Sequence, residues 1–417
     1  MLEDNSDNCI IIGASHAGIN LAFALRKEGW QGRITLLDSD PNLPYHRPPL
    51  SKTSLVSNKE RDVNYLKPKE SYQKNKIDLV LGHKVTGINS EKRELVTSDG
   101  LTHSYTKLAM ATGAKPFIPP INGLESAAHV YCLRTLHDVQ NIQNALAAYT
   151  TPRVAIIGGG YIGLETAASL QKLGAKVTIL ERESRILARV TAPVMSDFFK
   201  KVHNTNGVNI YTEKSIVEIT PSENCNLLMS ADGDKYEADI IILGAGIYVS
   251  TELAKQANLQ LENGIVVDES ARTSNPDIYA IGDCSYHHNI RYNTMMRLES
   301  IQHAVDQAKV AAASICSKPA VYNSLPWFWS DQYDIKLQIV GISSGFNNMV
   351  VRHEPVQGHK FSVWYFDDNR LLAVDAVNHA KAYVLGTKLI TSAAIVNKTN
   401  LANSELELSL DALVLAN

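Results

Sequence analysis

The sequence predicts an α/β protein: two parallel-sheet units followed by a smaller α+β unit. Two observations carry this. A strand, glycine turn, helix, strand and acid are written in that order twice, starting near Cys9 and again near Val154. After about residue 323 the pattern changes to short strands with turns between them.

In the first copy, the apolar run Cys9-Ile10-Ile11-Ile12 ends in Gly13-Ala14-Ser15-His16-Ala17-Gly18. Ile19 to Lys27 carries Leu21, Ala22, Ala24 and Leu25 on one helical face, and the strand Ile34-Thr35-Leu36-Leu37 closes on Asp38. The second copy runs from Val154-Ala155-Ile156-Ile157 into Gly158-Gly159-Gly160-Tyr161-Ile162-Gly163. A helix from Leu164 to Leu173, a strand from Lys176 to Leu180 and the acid Glu181 follow.

The spacing has a chemical meaning. The first glycine permits the tight turn, the second position lets backbone approach a pyrophosphate, and the third lets helix pack on strand. The helix N-terminus offers unpaired N–H groups to phosphate, and the acid takes the ribose hydroxyls of an adenosine. Ser15 occupies the second glycine position and is small enough for the same approach. Two such units imply two dinucleotides. At the second, Glu181 would repel a 2′-phosphate and favours NAD over NADP, against the pull of Arg182, Arg185 and Arg189.

Composition narrows the class. The 417 residues are 45% hydrophobic and 20% charged, which fits a globular chain of two to three domains. A net charge of -3 argues against a nucleic-acid protein held by charge. No apolar run reaches membrane-spanning length, and the polar, acidic stretch Met1 to Cys9 is unlike a signal or transit peptide, so a cytoplasmic protein is expected. Cys9, Cys132, Cys225, Cys284 and Cys316 lack metal or disulfide spacing and read as reduced thiols. His287, His288 and His303 read as solvated rather than metal-binding, so no metal is expected.

Outside the repeat, Pro44-Tyr45-His46-Arg47-Pro48-Pro49-Leu50-Ser51-Lys52 is a proline-stiffened loop with two cations. Leu108 to Ala114 and Ile240 to Ile247 are strand ends of small residues, suited to close approach of a ligand. Asp277 to Asp283 is an apolar strand ending in Gly-Asp, whose carboxylate could hold a polyol hydroxyl, and a helix opens near Ile301 and runs to about Ser314. Strands are expected at Lys336 to Val340, Met349 to Arg352, Phe361 to Phe366 and Leu371 to Val377, then a helix. The tail after about residue 395 has no assignment.

These motifs, with Arg47-Pro48-Pro49-Leu50-Ser51-Lys52, Ala111-Thr112-Gly113, Ile281-Gly282-Asp283-Cys284 and Pro326-Trp327-Phe328-Trp329-Ser330-Asp331-Gln332-Tyr333, carry a resemblance. The chain resembles the FAD-dependent, NADH-using ferredoxin reductases of bacterial oxygenase systems, of the putidaredoxin reductase type. The last motif discriminates best. The resemblance implies two Rossmann-like dinucleotide-binding domains in a glutathione-reductase-like arrangement. Residues 1–118 and 248–322 would form the FAD-binding domain, 119–247 the NAD-binding domain and 323–417 the C-terminal α+β domain.

It further implies non-covalent FAD on the first unit and NADH on the second. Asp38 is assigned to the adenine ribose, Arg47 and Lys52 to the flavin side, and Asp283 to the ribityl chain. Val85, Arg134, Arg189, Gly246 and Gly282 join the cofactor contacts. The helix beginning at Ile301 would support reduced flavin with its dipole. Lys52, Glu165 and Trp329 are the implied catalytic residues, Glu165 near the nicotinamide and Trp329 beside the flavin ring.

The implied partner is a small acidic iron–sulfur protein, a [2Fe–2S] ferredoxin or else a rubredoxin, with no nucleic acid and no membrane. Arg291, Arg297, Lys309 and Lys336 are expected to orient it. A disulfide or peroxide reductase would need a cysteine beside the flavin, and none lies between Cys9 and Cys132. A monodehydroascorbate reductase and a non-metabolic flavoprotein like apoptosis-inducing factor remain alternatives.

Overall fold

A computed structural model describes residues 7–57, 63–356 and 358–415; most of the acidic N-terminal stretch lies outside them. The chain forms two compact units. The first gathers the described parts of Met1–His46, Val63–Lys115 and Tyr248–Pro326, and the second those of Arg47–Asp62, Pro116–Ile247 and Trp327–Asn417.

The first unit is built on a parallel sheet ordered Ile278–Ala280, Lys107–Met110, Asn8–Ile12, Arg33–Asp38 and Ile77–Leu81. Its strands read as continuous apolar runs because both faces are covered. The helix His16–Glu28 starts three residues before the expected Ile19, since the turn glycine Gly18 already lies within it. Ala17, Leu21 and Leu25 pack in one core with Ala304, Ala308 and Ala311 of the helix Ile301–Ile315. The small residues let the two backbones approach closely. Gly282, at φ +73°, lies against both helices, where a Cβ would stand 3.1 Å from that of Ala17 and 3.6 Å from that of Ala304.

His287 and His303 are a correction to the solvated reading. Strand alternation over Ser285–Asn289 turns His287 inward and leaves His288 exposed. His287 is 2% exposed and stacks at 5.0 Å on fully buried His303. Burial pushes His287 down to about 4 and His303 down to about 3. Both are neutral in the fold, whereas an unfolded histidine takes a proton below about pH 6.5. Their contribution is therefore complete above pH ~6.5 and is lost as pH falls toward 4 and 3. Neither ring nitrogen of His287 has a hydrogen-bond partner among the described residues. His287→Phe should recover about 1–3 kcal/mol of this acid-induced loss. Urea unfolding at neutral and mildly acidic pH checks it: the gap between the two midpoints should narrow.

The second unit repeats the design, with a parallel sheet ordered Asn209–Tyr211, Lys176–Leu180, Arg153–Ile157, Ile240–Leu243 and Val130–Cys132. Its turn helix is Tyr161–Lys172. The same unit holds the C-terminal antiparallel sheet, ordered Trp327–Gln332, Ile335–Gly341, Arg370–Val377, Phe361–Asp367 and Asn348–His353. The helix Ala380–Ser392 covers it, and Gly386 makes that possible: a Cβ there would stand 2.6 Å from a methyl of Val374. The unassigned tail forms two short helices, Lys398–Ala402 and Leu410–Leu413. Buried Arg352 holds the intervening chain by donating to the carbonyls of Leu401, Asn403 and Leu406.

Candidate functional site

Each glycine turn is locked by its own geometry. Gly13 has φ +105°, and a Cβ there would stand 2.2 Å from the Ala111 carbonyl oxygen; Gly158 has φ +114°, and its Cβ would stand 2.3 Å from that of Gly244. Gly18 and Gly163 lie against the carbonyls of Gly13 and Gly158, leaving Cβ distances of only 1.9 and 2.2 Å. The middle position differs. A Cβ on Gly160 would meet nothing within 4 Å, which explains why Ser15 is tolerated at the matching place. The turn is closed toward the sheet and open toward the ligand side.

Both acids are set in the same way. The Ala14 N–H donates to Asp38 Oδ2 at 2.6 Å and the Asp40 N–H to Oδ1 at 2.9 Å. The Gly159 N–H donates to Glu181 Oε2 at 2.6 Å and the Glu183 N–H to Oε1 at 2.8 Å. Each carboxylate is thus fixed beside its turn with lone pairs left to accept from ribose hydroxyls. No side chain caps the helices that begin at His16 and Tyr161, whereas Ser300 caps Ile301–Ile315 and Thr135 caps Leu136–Leu146. Two helix N-termini of this kind, with open turns and preset acids, fit two dinucleotides.

Around Glu181 the cations are largely committed elsewhere. The Arg185 guanidinium donates to the carbonyls of Thr191 and Ala188 and to Ser196, and Arg182 pairs with Glu183 at 2.9 Å. Arg189 is exposed, as is Ile162 on the first turn of its helix.

The second unit also joins Lys52 to Glu165. Lys52 Nζ lies 2.6 Å from Glu165 Oε2, with the carboxylate side chain only 3% exposed. Ser51 donates to the same oxygen at 2.6 Å and Ser330 to Oε1 at 2.7 Å. The resemblance names Lys52 and Glu165 as catalytic residues but neither serine, although each stands inside a quoted motif. Arg47 donates to the Arg134 carbonyl, and the Arg134 N–H donates to Asp138. The Phe328 ring packs on that of Tyr161 at 4.7 Å, tilted by 36°, and half-buried Trp329 lies 5.5 Å from Trp327. Gly246, at φ +105°, is exposed beyond the strand Ile240–Leu243.

In the first unit, Val85 is buried in the core that holds Ile12 and Leu37. Buried His16 faces His46 at 3.3 Å, Thr112 is half-buried, and Gly113 takes φ +62°. Asp283 sits on the turn Gly282–Cys284, and Ile301 is the first residue of its helix. Arg297 pairs with Glu299 at 2.8 Å, its side chain only 11% exposed, and Lys309 pairs with Asp306 at 2.9 Å. The charge of Arg297 is mostly spent inside the unit. Among the described residues no group of acids, histidines or cysteines has metal-binding geometry, and no helix is long and apolar enough to cross a membrane.

Comparison with known proteins fits this geometry. Residues 7–308 match the pyridine nucleotide-disulphide oxidoreductase family, and residues 327–410 match the reductase C-terminal family. Putidaredoxin reductase of Pseudomonas putida is 39% identical over 391 residues, covering 93% of this chain and 92% of the relative. A rubredoxin-NAD(+) reductase of Pseudomonas putida is 36% identical over 375 residues, covering 89% and 96%. A crystal structure of a covalent putidaredoxin reductase–putidaredoxin complex superposes with a TM-score of 0.91 at 37% identity, covering 96% of this chain and 97% of that one. The family's cofactors are FAD and NADH. With its two turn-and-acid units and its C-terminal sheet, the chain belongs to the pyridine nucleotide-disulphide oxidoreductase family.

Proposed function

We propose that this protein is a cytoplasmic, FAD-dependent ferredoxin–NAD(+) reductase that passes electrons from NADH to a small [2Fe–2S] ferredoxin feeding an oxygenase. The observation that carries this reading is the duplicated turn with its preset acid: one chain built to hold two dinucleotides. A flavin accepts a hydride as an electron pair and gives its electrons up singly. The chain supplies the rest. The turn Gly13–Gly18 and Asp38 hold FAD, with Val85, Ala111, Thr112, Gly113, Arg47, Arg134, Gly282, Asp283 and Ile301 as further contacts. Gly158, Gly160, Tyr161, Ile162, Gly163, Glu181, Arg189 and Gly246 receive NADH. Lys52, Glu165 and Trp329 serve the reacting rings, where alignment and exclusion of water govern the rate. The rubredoxin reading keeps its place because a relative of that name is 36% identical. Reduction assays with a panel of ferredoxins and rubredoxins test the choice.

Heating the purified yellow protein should release FAD. Release of FMN would contradict the role of Asp38, since FMN has no adenosine. At the second unit, Glu181→Ala should narrow the preference for NADH over NADPH by on the order of 1–3 kcal/mol. The ratio of kcat/KM values for the two nucleotides checks it, and a wild-type preference for NADPH would overturn the assignment.

A further inference from the structure

Glu165 is the end point of a buried chain of hydrogen bonds. Its Oε1 accepts from Ser330 at 2.7 Å, and Ser330 Oγ accepts from Gln332 Nε2 at 3.1 Å. Gln332 Oε1 faces His203 Nε2 at 2.8 Å, and His203 Nδ1 faces the Tyr333 hydroxyl at 3.4 Å. Ser330 and Gln332 are each 1% exposed and His203 is fully buried.

The partners fix the direction of every bond. Glu165 Oε2 already faces the Lys52 ammonium, and the Ser330 O–H donates to Oε1. The serine oxygen then accepts from the Gln332 amide nitrogen, which leaves the amide oxygen toward His203. Burial pushes the His203 pKa down, so the ring is neutral; its proton must sit on Nε2, and bare Nδ1 accepts from Tyr333. All four donors point one way.

We propose that Ser330, Gln332 and His203 are positioning residues that hold Glu165 ionised and thereby keep Lys52 a fixed cation while NADH reacts. The proposal rests on the reading of Lys52 and Glu165 given above. A carboxylate this deeply buried has lost its water, and donors in fixed positions must replace it. Lys52 and Ser51 serve Oε2, while the polarised chain serves Oε1. Among the described residues, Glu165 contacts Lys52 from the adjoining loop and interacts with Tyr161 on its own helix and, through the chain, with His203, while Asp375 and Arg189 act on the same Tyr161. The Tyr161 phenol is held neutral, its pKa raised mainly by burial. Lys52 is the cation in direct contact with the carboxylate. Glutamate would not serve at 332: its carboxylate would accept from both His203 and Ser330 and turn the serine O–H away from Glu165.

Infrared titration of the Glu165 carboxyl band in the FAD-loaded enzyme, assigned by its loss in Glu165→Gln, reads the protonation directly. Stopped-flow reduction of the flavin by NADH reads the consequence. Ser330→Ala and Gln332→Glu should each raise the pH at which Glu165 takes up a proton by about one unit, a tenfold change in proton affinity. The acid limb of flavin reduction should move with it, and Ser330→Thr, which keeps the hydroxyl, should restore both. Ser330→Ala removes a single oxygen and decides the matter if Gln332→Glu does not fold. An unmoved titration in Ser330→Ala overturns the proposal, as does a moved titration with an unmoved acid limb. A parent enzyme whose flavin NADH does not reduce overturns the functional reading instead, and the infrared titration still judges whether the chain holds Glu165 ionised.

Discussion

Glu165→Ala should destabilise the protein by about 3–5 kcal/mol, the usual cost of breaking a buried ion pair from one side. The loss is large because the carboxylate is the common acceptor for Lys52, Ser51 and Ser330. Removing it strands a half-buried ammonium and two buried hydroxyls. Glu165→Gln keeps the shape and one acceptor oxygen, so it should cost less, about 1–3 kcal/mol. Denaturant unfolding of the FAD-loaded forms separates the two variants. On the functional reading, both should also slow flavin reduction by NADH while leaving NADH binding largely intact. A Glu165→Ala variant as stable as its parent would mean that Lys52 is solvated rather than paired.

Arg352→Met should cost a similar amount, about 3–5 kcal/mol, through a different part of the second unit. The guanidinium is 1% exposed and reaches Glu354 at 2.6 Å as well as three carbonyls of the tail. Methionine fills much of the volume and satisfies none of these groups. Among the described residues Glu354 would keep His379, at 2.8 Å, as its side-chain hydrogen-bond partner. The expected signature is a lowered unfolding midpoint together with faster proteolysis between residues 398 and 410. Unchanged proteolysis would show that packing of Leu401, Leu408 and Leu413 suffices to hold the tail.

Legibility in the sequence follows the range of the interactions. The two sheet-and-turn units could be read because strand, glycine, helix and acid lie within about 30 residues and each leaves a local mark. Four of the five C-terminal strands are readable from alternation and turns, to within one residue, whereas Trp327–Gln332 is not, because its aromatic run shows no alternation. The Ser330–Gln332–His203 chain was not, since Glu165 and Ser330 are 165 positions apart and His203 sits on a helix, Pro193–Thr205, with no motif of its own. His287 misled for a related reason: a His-His pair looks polar in sequence, but strand alternation buries one and exposes the other. The tail escaped because helices of four and five residues carry no period, and part of what fixes them, the guanidinium of Arg352, is distant in sequence.

The account as a whole stands on electrons passing from NADH through this chain to a one-electron iron–sulfur carrier. Anaerobic titration of a [2Fe–2S] ferredoxin with NADH, in the presence of catalytic amounts of the protein, tests that most directly. Two one-electron acceptors are needed for each hydride, so two ferredoxins should be reduced for every NADH consumed, with one proton released. Rapid oxidation of NADH with no reduction of any ferredoxin or rubredoxin offered, but with reduction of a disulfide or an ascorbate radical, would contradict it.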